Sequence, residues 1–253
     1  MDKKQREARR HQEDVALQRW LFWVVGAVVL EGLLLLVNRF YINYYVSEVD
    51  IAYGFHYALR ALRIAGPVVA VAALVWAGLR LRKGGKTGLP VIVALAAGAV
   101  GLCAHVAYRY QDVGMPMLFW LVIAWAVLAL VYYLYQKEFF LAATAVGMSI
   151  LGLWFVRYGG SVGLECGLMV VGVVLVLAVA LWLKRSGGVL PGAEKIQFLP
   201  KEAGYAAVLI SCVASLIALV TAMILGGTAA YYLIFAMLAW MFALFVYYTV
   251  KLM

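Results

Sequence analysis

The sequence predicts an all-α polytopic membrane protein of about eight transmembrane helices. Three observations predict it. Hydrophobic residues make up 67% of the chain and charged residues only 13%, against roughly half and a quarter in a soluble domain. Charge-poor stretches of about 20 residues, enough to cross a bilayer core, recur from end to end. Lys and Arg gather in alternate connections, the bias that orients membrane helices.

Residues 1–19 read as a basic cytoplasmic tail of mixed charge. Such a segment is expected to lie as a helix on anionic lipid. No small-residue cleavage site follows the first apolar run, so the helix at 20–38 is expected to be a retained signal anchor. Trp20 and Trp23 open it as interfacial residues.

Further helices are predicted at 58–80, 89–108, 115–135, 139–156 and 163–183. The connector Lys184–Glu202 holds Pro191 and Pro200 and reads as irregular. After it, 48 residues from Ala203 to Val250 carry no charge. As one helix they would reach about 72 Å, far beyond a bilayer. Gly226-Gly227-Thr228 offers a turn at the middle, so helices at 204–225 and 229–250 are predicted.

With the N-terminus inside, 16 of the 21 Lys and Arg fall on the cytoplasmic side and 5 on the outer side. Both termini are therefore expected to be cytoplasmic, in the plasma membrane, which requires an even number of spans. The net charge of +9 is explained by residues flanking spans, and no nucleic-acid partner is expected. The expected partners are the bilayer, an anionic lipid or small anion, and other membrane proteins.

Two stretches echo each other. Ala124-Trp125 is followed by Val131-Tyr132-Tyr133, and Ala239-Trp240 by Val246-Tyr247-Tyr248, at the same spacing. Either the chain is two parallel four-helix halves, 20–138 and 139–253, or apolar helices with tyrosine belts converge on similar words. Parallel repeats occur in transporters, with sites between halves.

Ionisable groups inside spans are costly and mark function by default. Glu31 lies in the first helix. His56, Arg60 and Arg63 are spaced to share one helical stripe. His105, Arg109 and Asp112 repeat that spacing, Arg157 ends the fifth helix and Glu165 begins the sixth. All lie toward the outer side, where the orienting bias disfavours arginine. The ligand-binding expectation is an outward pocket in which planar guanidinium groups hold phosphate or carboxylate. Glu31, if buried, is expected to carry protons, because hydrocarbon disfavours the charged carboxylate. The competing expectation is purely structural: local ion pairs, and arginines reaching lipid phosphates.

Other motifs carry less. Gly85-Lys86-Thr87 lacks the first glycine of a phosphate loop, since position 80 is Arg80. Gly159-Gly160-Ser161-Val162-Gly163 spells a nucleophile elbow but lies between membrane helices, not after a strand. Gly159, Gly163 and Gly167 also suit close helix packing. Cys103, Cys166 and Cys212 sit in apolar segments without ligand spacing. No metal and no cofactor is expected. Function narrows to a small transporter or head-group-binding protein, or else a non-catalytic subunit scaffolding a complex. An intramembrane enzyme using Ser161 with His56 or His105 is the third choice.

Overall fold

A computed structural model describes residues 21, 23–82, 88–134, 137–159, 163–186, 189–190, 196–197 and 204–252. The expected surface helix at 1–19, the Gly85-Lys86-Thr87 stretch and Ser161 lie outside these residues. The chain forms an all-α polytopic membrane protein. Among the described residues, seven helices are long and apolar enough to cross a bilayer. They are α1 (Trp23–Ile42), α2 (Val49–Arg82), α3 (Gly88–Leu134), α4 (Lys137–Gly159), α5 (Leu164–Arg185), α6 (Tyr205–Leu225) and α7 (Gly227–Leu252).

Helix α3 contains two of the eight predicted spans. Straight, its 47 residues would extend about 70 Å. Gln111 leaves the helical region at φ 36° and ψ −111° and breaks it into two legs. The chain folds back there. A Cβ placed on Gly114 would lie 2.9 Å from the carbonyl oxygen of Val106, eight residues earlier. Down the second leg, Trp125 meets Trp23 of α1 edge to face, with centroids 5.0 Å apart.

The chain divides into two compact units, one of Phe22–Ala126 and one that joins Leu21 to the residues from Val127 onward. In the first, α1 ends in a π-helical turn at Asn38–Ile42 and a 3₁₀ turn follows at Val46–Glu48. Arg39 bridges this connection with a two-pronged ion pair to Glu48, at 2.8 and 3.2 Å. Helix α2 begins nine residues before the predicted start, because Ile51, Ala52 and Tyr53 continue the apolar pattern into the turn. Its inward positions recur every seven residues: Ala52, Leu59, Gly66 and Ala73 on one line, His56, Arg63, Ala70 and Ala77 on the other. That is the spacing of left-handed helix packing. At its centre the backbones of α2 and α3 cross: a Cβ on Gly66 would lie 2.5 Å from the Gly101 Cα. Only glycine permits such an approach.

In the second unit α4 is central and α5, α6 and α7 all pack against it. Seven-residue lines face inward again: Cys166, Val173 and Ala180 on α5, Val208, Ser215 and Ala222 on α6, and Ala230, Met237 and Leu244 on α7. Gly226 makes the α6–α7 turn, as the sequence predicts. Its φ of +82° suits a residue without Cβ, and its N–H closes α6 on the Ala222 carbonyl at 2.8 Å. The connector between α5 and α6 is not wholly irregular. Val189–Leu190 and Ile196–Gln197 pair as a two-residue antiparallel ladder, since short β-branched and apolar runs flank the Pro191-Gly192 turn signal.

Candidate functional site

The sequence-predicted residues fall in different places. Glu31, His56, Arg60, Arg63, His105 and Arg109 belong to the first unit, and Arg157 and Glu165 to the second.

On α1 the inward positions are Val24, Ala27, Glu31, Leu34, Asn38 and Tyr41, at alternating three- and four-residue steps. Glu31 thus occupies a packing position, and one of its carboxylate oxygens is buried with no hydrogen-bond partner among the described residues. At the end of the same seam, the Tyr41 hydroxyl lies 3.3 Å from His56 Nδ1. The His56 ring packs on Tyr108, centroids 5.0 Å apart, and the Arg63 guanidinium covers the same tyrosine at 5.3 Å. His56 and Arg63 therefore converge through Tyr108. Arg60, on the flank of the expected stripe, is exposed and makes no ion pair or hydrogen bond among the described residues. His105 is half-buried on the first leg of α3, and Arg109 is exposed with its guanidinium 5.9 Å from the Tyr110 ring.

Beside Tyr41 and His56 a cavity of about 420 Å³ opens where the α1–α2 connection meets the fold-back of α3. Tyr44, Tyr53, Gln111 and Asp112 complete its polar wall, with Ile42, Val49 and Ala52 as apolar lining. Its size fits a small molecule. Gln111, the residue with the unusual backbone, belongs to this wall. Outlying backbone geometry of this kind collects at functional sites. None of the four arginines expected to form an anion pocket lines the cavity.

In the second unit Arg157 makes two contacts with α7. Its guanidinium donates to the Gly227 carbonyl at 3.4 Å and lies 5.2 Å from the Tyr231 ring. That fastens the end of α4 to the start of α7. Glu165 is half-buried in the first turn of α5.

The second unit also holds a cluster that sequence reasoning missed. The Glu138 side chain, only 4% exposed, accepts a hydrogen bond from Lys251 Nζ at 3.2 Å. A Cβ on Gly204 would come within 3.3 Å of the same carboxylate, so α6 also starts against this pair. Tyr205 donates to the Leu183 carbonyl at 3.3 Å, drawing in the end of α5. Tyr248 is fully buried beside Phe139, its hydroxyl without a partner among the described residues. Glu138 and Lys251 border predicted spans, and Lys251 reads in sequence only as a topology signal. Lys251 lies seven residues after Leu244 on the inward line of α7, and that register was the available signal.

Comparison with protein-family models, curated proteins and solved structures gives no significant match for this chain.

Proposed function

We propose that this protein is a small membrane transporter or head-group-binding protein of the plasma membrane, with its ligand site in the cavity of the first unit. The carrying observation is that cavity. It gathers hydroxyl, imidazole, amide and carboxylate groups at one end of the first unit, whose fully buried side chains are mostly apolar or small. Packing alone has no use for such a wall, because polar groups in a membrane are retained at a cost. The Lys/Arg imbalance would place it on the outer face, with both termini cytoplasmic.

Glu31 supports coupling to protons. It lies ten residues before Tyr41 on the same seam of α1, about 15 Å along the helix axis. A buried carboxyl oxygen without a partner is costly to keep for stability alone.

A thermal-shift screen of protein purified in a neutral maltoside detergent tests the site, using anionic lipids, organic phosphates, amines and polyols. A compound that stabilises the protein, and loses that effect in Tyr53→Ala, supports the reading. Tyr53 is largely exposed, so its loss leaves the fold intact. If no compound stabilises the protein and a defined membrane protein co-purifies with it, the subunit reading takes its place.

A further inference from the structure

We infer that the cavity recognises an alkylammonium ion, which rests on the reading of this cavity as the ligand site. Among the described residues, its wall contains one acidic side chain, Asp112, and no lysine or arginine. Three of the other lining residues are tyrosines, Tyr41, Tyr44 and Tyr53. Aromatic faces carry partial negative charge and attract cations, and aromatic walls with a carboxylate suit substituted ammonium groups.

Two arginines of this unit are engaged away from the cavity wall. Arg39 is held by both oxygens of Glu48 and lies 4.3 Å from the Tyr45 ring. Arg63 lies over Tyr108. These pairs show that aromatic rings at this end of the unit already hold cations. Asp112 begins the second leg of α3. Pro116 stands four residues later in the second leg of α3. With no N–H, it cannot give the Asp112 carbonyl its usual helical hydrogen bond.

The alkylammonium group could belong to a free amine or to the choline or ethanolamine head group of a lipid. Both present the same cation to Asp112 and the tyrosines. Melting curves in maltoside detergent separate them, with choline chloride, sodium phosphate, short-chain phosphatidylcholine and short-chain phosphatidylglycerol as probes at equal ionic strength. Choline or phosphatidylcholine is expected to raise the melting temperature. Asp112→Asn should weaken that response about tenfold, the worth of one charge-assisted contact, while Asp50→Asn, outside the cavity wall, should not.

A response to choline alone identifies a free amine, and a response to phosphatidylcholine without choline identifies the head group. Either supports the inference. Stabilisation by phosphate or phosphatidylglycerol that is lost in Tyr53→Ala would overturn the alkylammonium class and leave the cavity as the site. An equal choline response in Asp112→Asn would overturn it too. Silence from every probe here and in the broader screen would remove the cavity reading itself.

Discussion

Glu138, in the first turn of α4, is held by Lys251, in the last turn of α7, across 3.2 Å. The two residues are 113 positions apart in sequence, and they close one end of the bundle around α4. The carboxylate is almost wholly hidden, while the lysine is about one-third exposed. Removing the lysine leaves a buried charge uncompensated, whereas replacing both partners removes the desolvation cost along with the attraction. Lys251→Ala should therefore cost roughly 3 kcal/mol, read from unfolding in mixed micelles. The double variant Glu138→Gln, Lys251→Met should recover most of that loss. A single variant as stable as the wild type would show that the pair contributes nothing.

The crossing of α2 and α3 depends on two glycines facing each other. A Cβ on Gly101 would lie 2.7 Å from Pro67 Cδ, so the strain is reciprocal with that at Gly66. Gly66→Leu should force the helices apart and cost about 1–3 kcal/mol, the range for overpacking. Gly78→Leu, on the same helix with open space around it, is the control and should be near neutral. Equal melting temperatures for the two variants would contradict the crossing.

Glu31 separates stability from function. Its buried oxygen lacks a partner, so Glu31→Met should stabilise the protein by about 1 kcal/mol. If Glu31 moves protons, Glu31→Gln should abolish pH-dependent uptake in proteoliposomes without lowering expression. A Gln variant that fails to fold would make Glu31 a structural partner instead.

Trp240 donates its indole N–H to the Ser211 hydroxyl at 3.1 Å, joining α7 to α6. Trp240→Phe should lose about 1 kcal/mol, and Ser211→Ala should add little more once the indole is gone. Fully additive losses would mean that the two residues act independently.

The spans were legible because length and charge-free runs follow directly from bilayer thickness. The α6–α7 turn was legible because Gly226 and Gly227 interrupt an otherwise unbroken apolar run. The fold-back of α3 was visible only as a gap from 109 to 114, since Gln111 is no typical turn residue and its strained backbone leaves no mark in composition. Helix facing was the least legible feature. In α2, Ala70, Ala73 and Ala77 turn inward while Val68, Val69, Val71 and Val75 face outward. A membrane helix apolar all round has no polar face to betray its orientation. Arg60 was grouped with His56 and Arg63 on angle alone, and packing then separated it from them. The tryptophans of the repeated Ala-Trp words meet different partners, Trp23 for Trp125 and Ser211 for Trp240.

The reversal of α3 at Gln111 shapes the cavity and divides one long helix into two of the predicted spans. Cysteine labelling from each side of sealed vesicles tests it most directly. Cys103, Cys166 and Cys212 are first replaced by alanine, and single cysteines are placed at Glu48, Asp112 and Leu81. An impermeant thiol reagent should reach Glu48→Cys and Asp112→Cys from one face and Leu81→Cys only from the other. Labelling of Asp112→Cys from the face that exposes Leu81→Cys would contradict the reversal, and the cavity would be lost with it.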